Sequence, residues 1–193
     1  MAAPHSFSEI EARKQAARRT ALAGRATCDP AWGAALAAHV LREAPPPAGA
    51  VIAGFWPLAG EIDIRPLLVA LAGRGHRIVL PVTPARGLPL SFRLWREEAK
   101  LAAGRFGTMH PEIAEETLAP DFVLVPLLAF DRRGYRLGFG AGYYDRTLTS
   151  LPSAHTLGCG FSAQEMGEVP FGPHDVRLDA VATERGVIFC KGR

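Results

Sequence analysis

The chain reads as an α/β sandwich on a mainly parallel sheet, and three observations predict this. Short runs rich in β-branched residues alternate with helical patterns along the sequence. One run, FVLVPLLAF at 122–130, has the near-continuous apolar character of a strand buried on both faces. The 193 residues, 48% hydrophobic and 21% charged, suit a single folded domain with a sizeable core. That domain is expected to span 1–193, with helices over 1–44 and the α/β core over 50–193.

Each element has a local reason. Ser8 to Gly24 is rich in Ala and Arg and predicts a helix with a strongly basic surface from Arg13, Lys14, Arg18 and Arg19. Asp29-Pro30 is an N-cap and first-turn pair opening a helix to about Glu43, with Trp32, Leu36 and Val40 on one face. Pro45-Pro46-Pro47 makes a stiff connection to a strand over Val51–Trp56. Pro66–Ala72 is a short helix stopped by Gly73 and Gly75. Arg77–Val82 is a strand, and Leu90–Trp95 alternates as a half-buried one, with Phe92 and Trp95 assigned to the core. Further strands are expected at Phe122–Pro126, Thr156–Phe161 and Val187–Cys190, and a helix from about Gly142 to Ser150. Ligands of such sheets sit at the carboxyl ends of the strands, where the 56–63 and 131–144 loops both emerge.

Composition narrows the function. No apolar stretch approaches the ~20 residues that cross a bilayer, and no secretory signal is visible. Cys28, Cys159 and Cys190 are an odd set without CxxC spacing, which argues against a disulfide framework and a zinc site and for a reducing cytoplasm. None of them has a convincing His/Asp partner set for thiol catalysis. A net charge of +3 suits anionic small molecules and does not by itself support nucleic-acid binding.

The most informative stretch is DRRGYRLGFGAGYYDRTL at 131–148, where four glycines, four arginines and two aspartates fall within 18 positions. Glycines leaving a buried strand let backbone N–H groups approach an anion closely. A helix beginning near Gly142 would add its N-terminal partial charge. Arginine supplies forked cationic donors, and Asp145 a hard oxygen of the kind that holds Mg²⁺ beside a nucleotide. The run is neither a dinucleotide fingerprint nor a P-loop. It reads as a site for a phosphorylated, polyanionic ligand.

LGFGAGYYDR, preceded by FDRRGYR, resembles the signature of the 5-formyltetrahydrofolate cyclo-ligase family, also called 5,10-methenyltetrahydrofolate synthetase. Three further segments resemble the family in order: FWPLAGEID at 55–63, LSFRLW with GRFG at 90–107, and PHDVRLDAVATE at 173–184. The resemblance implies a three-layer, Rossmann-like α/β fold. It also implies ATP- and Mg²⁺-dependent closure of 5-formyltetrahydrofolate to 5,10-methenyltetrahydrofolate, by a monomer acting on small molecules without nucleic acid or membrane.

Site residues follow from the matched motifs. Arg136, Tyr143 and Asp145 are the expected catalytic set. Arg13, Arg136, Leu137, Gly138, Phe139, Gly140, Ala141, Gly142, Tyr143 and Tyr144 are expected to bind ATP. Trp56, Leu58, Glu61 and Asp63 are expected to meet the folate together with 139–143. Glu61 and Asp63 are placed against the donor-rich edge of the pterin, with the family's substrate contact on one or the other; the alternative is that one of them, Asp63 by its position, caps the helix near Pro66. Asp145 and Asp179 are the implied Mg²⁺ ligands. The chain departs from the family at the N-terminal helix, where a lysine usually stands four residues before an arginine: Arg13 is preceded at that spacing by Glu9, and Lys14 or Arg18 could substitute. It departs again at His110, where glutamate is usual.

Two other readings stay open at this point. A diverged paralogue would apply the same apparatus to another formylated heterocycle. A non-catalytic folate- or nucleotide-binding relative is the reading from another class.

Overall fold

The computed structural model describes residues 7–112 and 115–190. Helix α1 (Phe7–Arg25) leads through a 3₁₀ turn at Pro30–Trp32 into α2 (Gly33–Glu43). The Asp29 carboxylate caps that turn by accepting the Ala31 N–H at 2.9 Å. Strand β1 (Val51–Ala53), α3 (Arg65–Gly73) and β2 (Arg77–Val82) form a parallel β–α–β unit. Then come β3 (Ser91–Trp95), a small hairpin of β4 (Leu101–Ala103) and β5 (Met109–Pro111), and β6 (Phe122–Pro126). A second small hairpin, β7 (Ala129–Phe130) with β8 (Arg136–Leu137), precedes α4 (Tyr143–Ser150). Strands β9 (His155–Cys159), β10 (Ala180–Thr183) and β11 (Gly186–Phe189) complete the chain.

The main sheet runs β11-β10-β9-β6-β1-β2-β3. Its five central strands are parallel, and β3 and β11 close the two edges antiparallel. Strand alternation sends side chains to two cores. Ile52, Ile78, Leu80 and Leu124 pack against Leu36 and Val40 of α2 and Leu67, Leu68 and Leu71 of α3. Val51, Val79, Val123, Val125 and Val181 face the other way, onto Tyr143 and Leu148 of α4. The result is the expected three-layer α/β sandwich. Gly33 makes the α2 approach possible, since a Cβ there would sit 1.8 Å from the Asp63 carbonyl oxygen.

The main strands and helices expected from sequence are present, with differences at their ends. Phe122–Pro126 and Arg77–Val82 have the expected bounds. Phe92 and Trp95 are buried as assigned. Strand β1 stops at Ala53 rather than Trp56. Beyond it the chain leaves the sheet at Gly54, whose missing Cβ makes room for Leu68. Two small hairpins and β10 carry no sequence expectation. The hairpin strands are only two or three residues long, too short for a period to register. Strand β10, AVAT, is short and fully buried, so it shows no alternation.

Candidate active site

The 54–64 loop after β1 and the hairpin–glycine loop after β6 meet at the carboxyl end of the sheet, and α1 lies across them. Its inner face carries Ala17 and Ala21, which pack on Leu128, Ala129 and Leu137 of the hairpin. The same face presents Lys14, Arg18 and Arg25. Lys14 pairs with Asp175 at 2.5 Å. Arg18 donates from Nε to the Gly138 carbonyl at 3.0 Å and from Nη1 to Glu11 at 2.9 Å. Arg13 is exposed, off this face. Lys14 and Arg18, four residues apart, stand on this inner face, one helical face removed from Glu9 and Arg13.

The hairpin is organised by Asp131, which is fully buried. Its carboxylate accepts the N–H groups of Arg133, Tyr135 and Val169 and pairs with the Arg133 guanidinium. Gly134, at φ +90°, lies so close to the Leu178 carbonyl that a Cβ would come within 2.4 Å. The glycine loop follows. Gly140 has φ +97°, and its Cβ position faces the Arg18 guanidinium at 3.3 Å. Gly142 takes the left-handed conformation, φ +68°, as the cap of α4. The helix begins at Tyr143, one residue past the glycine expected to start it.

Most of the run's arginines serve the loop itself. Arg132 pairs with Glu165, and Arg133 with Asp131 and Glu168. Arg146 donates to the carbonyls of Leu88 and Ala141. Arg136 is only 4% exposed. It donates from Nη2 to Asp145 Oδ1 at 2.8 Å and from Nη1 to the Val176 carbonyl. Asp145 Oδ1 also accepts the Val176 N–H at 3.1 Å, fixing the carboxylate on the first turn of α4. From α1, Arg18 donates to the loop at Gly138, and Arg25 lies beside the Phe139 ring.

Tyr143 is anchored through its hydroxyl, and Tyr144 packs half-buried against the core. Tyr143 donates its hydroxyl to the Pro84 carbonyl at 3.1 Å and lies beside Arg146 and Phe106. Burial pushes the Tyr144 hydroxyl well above its ordinary value; Glu61 adds to the rise and Arg136 opposes it. One phenol thus feels charges from both loops. Leu137 is buried, Phe139 is exposed, and Ala141 is half-buried, with its carbonyl held by Arg146.

The first loop separates the two candidate carboxylates. Asp63 is taken up by Arg65, which meets it through Nε at 2.8 Å, Nη2 at 2.7 Å and its backbone N–H at 3.0 Å. Glu61 is buried, accepting the Leu58 N–H at 2.8 Å. Burial raises its pKa, while the Leu58 N–H and the Arg25 charge lower it in part. Trp56 lies between Trp95 and the Arg65 guanidinium, and Leu58 borders Gly107.

The two implied metal carboxylates are anchored at different points of one segment. Asp145 is tied to Val176. Asp179 accepts the N–H and hydroxyl of Thr156, both at 2.8 Å, beside the start of β10. No group of three or more His, Cys, Asp or Glu among the described residues is arranged to hold a metal ion. A nucleotide-bound Mg²⁺ needs only one or two carboxylates, because phosphate oxygens and waters fill its other positions. Asp145 fits that role: Oδ1 is engaged, and the side chain keeps 27% exposure.

Two residues of this region escaped the sequence reading. Arg25, at the last turn of α1, stands 3.9 Å from Glu61 Oε1 and 5.8 Å from the Phe139 ring. Phe106 holds φ +59° in a non-glycine residue, with its ring 66% exposed and 6.3 Å from Tyr143. GRFG entered the sequence reading only through the family resemblance, and nothing local signals that this segment brings Phe106 to Tyr143. His110 donates to or accepts from no site group in these contacts; its ring meets the Pro111 carbonyl.

Comparison with known proteins fixes the lineage. The 5-formyltetrahydrofolate cyclo-ligase family model matches residues 10–184. The chain belongs to this family. It is 36% identical over 149 residues to the 5-formyltetrahydrofolate cyclo-ligase of Mycolicibacterium smegmatis, covering 72% of this chain and 77% of that one. The Escherichia coli K12 cyclo-ligase is 33% identical over 139 residues, 68% of this chain and 76% of its own. Among solved structures, the Aquifex aeolicus 5,10-methenyltetrahydrofolate synthetase superposes with a TM-score of 0.77 at 29% identity, covering 93% and 94% of the two chains. The cyclo-ligase fold and the glycine loop therefore coincide with the family resemblance over nearly the whole chain. No helix among the described residues is long and apolar enough to cross a membrane.

Proposed function

We propose that this protein is an ATP- and Mg²⁺-dependent 5-formyltetrahydrofolate cyclo-ligase, releasing ADP and phosphate. Beyond family membership, the observation that carries the reading is that Arg25 of α1 stands between the two loops, 3.9 Å from buried Glu61 of one and 5.8 Å from the Phe139 ring of the other, where Arg136 fixes Asp145.

The chemistry asks for alignment and charge neutralisation rather than a protein nucleophile. The formyl oxygen attacks the γ-phosphorus, and the bond to ADP breaks with its electron pair on the leaving oxygen. N10 then adds to the activated formyl carbon and loses its proton, and the carbon–oxygen bond breaks to release phosphate and the methenyl product. The N–H groups of Gly138–Gly142 approach the phosphates where no Cβ intervenes. The start of α4 favours negative charge in the same place. Arg18, and Lys14 with it, flank the loop from α1, the part expected of Arg13. Arg136 serves by holding Asp145 in one rotamer. Bound Mg²⁺ supplies charge neutralisation on the phosphates, with Asp145 its principal carboxylate and Asp179 the second.

Glu61 is the carboxylate for the donor-bearing edge of the pterin, because Arg65 already saturates Asp63. Trp56, Leu58 and Phe139 supply apolar and aromatic surface beside it, and Tyr143 backs the glycine loop. Three free thiols suit a reducing cytoplasm, and the scattered exposed apolar side chains suit a monomer.

ADP release across a panel of formylated heterocycles tests the substrate assignment. The account expects 5-formyltetrahydrofolate to give the highest kcat/KM. A faster substrate elsewhere in the panel assigns the protein to a diverged paralogue.

A further inference from the structure

Among the described residues, Nη1 of Arg25 is a buried side-chain nitrogen with no hydrogen-bond partner. The side chain is 10% exposed. A guanidinium donor left unmatched away from water costs free energy, so such an atom calls for an explanation. Helix packing supplies none, since the neighbouring inward positions of α1 are the alanines Ala17 and Ala21. Nη1 points instead to the neighbourhood of Glu61 Oε1, 3.9 Å away and beyond hydrogen-bond reach. Gly60, at φ +77°, faces the same guanidinium: a Cβ there would lie 3.7 Å from Nη2.

Arg25 and Glu61 line one narrow recess with Phe55, Pro126, Cys159 and Gln164. Gln164 does not compete there. Its amide nitrogen donates to the Leu127 and Leu128 carbonyls, and its oxygen accepts the Phe161 N–H. The recess thus sets one carboxylate acceptor and one guanidinium donor side by side.

We infer that Arg25 is a specificity-determining residue that reads the 4-oxo group of the pterin while Glu61 takes the adjacent 2-amino and N3–H donors. This rests on the folate reading proposed above. The 2-amino-4-oxo edge carries donor, donor and acceptor in sequence, matching a carboxylate followed by a guanidinium. A 4-amino pteridine replaces the acceptor with a donor and removes the hydrogen from N3. It would set two donors against each other and leave Arg25 unpaired. The site therefore rejects 4-amino pteridines.

Equilibrium binding of 5-formyltetrahydrofolate and of its 4-amino-4-deoxy counterpart, with Mg-ATP binding as a second ligand, tests this. The wild-type protein is expected to favour the 4-oxo ligand by about 10²-fold or more, as sites built to pair a polar group do. Arg25→Met should lower that ratio to below about tenfold while Mg-ATP affinity stays within about twofold. Arg25→Lys, which keeps a cationic donor, should fall between. An unchanged ratio in Arg25→Met overturns the inference, as does a loss of Mg-ATP rather than folate affinity. Should Arg25→Met not fold, near-equal binding of the two ligands by the wild type overturns it equally. A wild-type protein that binds Mg-ATP but neither folate refutes the folate reading itself, and the inference with it.

Discussion

Arg136 and Asp145, nine residues apart in sequence, meet across 2.8 Å, and both also bind the backbone of Val176. One buried guanidinium therefore locks the first turn of α4 to the 172–179 segment and sets the direction of the Asp145 carboxylate. Removing the charge of Asp145 while keeping its shape separates the two duties. In Asp145→Asn the amide oxygen still accepts from Arg136 and Val176, so the loss of stability should stay near 1–2 kcal/mol. Turnover with Mg-ATP should fall by about 10²-fold or more, because positioned charge at the transferring phosphate is lost. Urea unfolding and steady-state rates give the two numbers; full activity in this variant would remove Asp145 from the metal site. Arg136→Leu should do the reverse damage, about 3 kcal/mol of stability, by stranding Asp145.

Arg18 donates to the glycine loop at the Gly138 carbonyl, Lys14 on the same helix pairs with Asp175, and Arg13 is exposed. Arg18→Ala should raise the Kd for Mg-ATP by about tenfold, the equivalent of one charge-assisted hydrogen bond of ~1.5 kcal/mol. Arg13→Ala should change it by less than about twofold. Isothermal titration with both variants distinguishes the registers, and the opposite ranking would restore Arg13 to the phosphates.

Glu61 titrates above the ordinary carboxylate range, chiefly because it is buried. In the proposed site its ionised form is the one to accept the pterin donors. As pH falls through that raised pKa, KM for the folate should rise while kcat at saturation holds. Glu61→Gln should show high KM at every pH and lose that dependence. The stability effect has the opposite sense. The native state binds this proton more tightly than the unfolded chain does, so the contribution is full below the unfolded pKa and is lost as pH rises through the folded one. A pH-independent KM in the wild type would remove Glu61 from substrate recognition.

Phe106 keeps a left-handed backbone at φ +59° with its ring largely in solvent above Tyr143. Strain of this kind at an exposed aromatic costs of order 1 kcal/mol and persists where function uses it. Phe106→Gly should leave Tm equal or higher, yet raise KM for the folate several-fold. A lower Tm with unchanged KM would make Phe106 a packing residue only.

The sheet was legible because its central strands are long apolar runs whose alternation or burial is written locally: Arg77–Val82 and Phe122–Pro126 match to the residue. The glycine loop was legible as well, since left-handed positions such as Gly140 and Gly142 demand that residue. What sequence could not show is partnership at a distance. Glu61 and Asp63 look equivalent until Arg65 is seen to occupy one of them. The four arginines of 131–148 look like anion ligands until all four are found holding carbonyls and carboxylates of the loop and its surroundings. Arg25 sits at an ordinary helix end in the sequence, and only tertiary packing carries it to Glu61. The α1 register is open in the sequence for a related reason: a helix so rich in Arg and Ala has a weak apolar stripe, so its inward face is set by contact with the hairpin.

The central claim is that this site closes 5-formyltetrahydrofolate at the expense of ATP. Purified protein, 5-formyltetrahydrofolate and Mg-ATP, followed at the near-ultraviolet band of the methenyl product, test it most directly. The account predicts a rise in absorbance that needs both ATP and Mg²⁺ and is matched mole for mole by ADP. Folded protein that binds Mg-ATP but gives no methenyl product would contradict it.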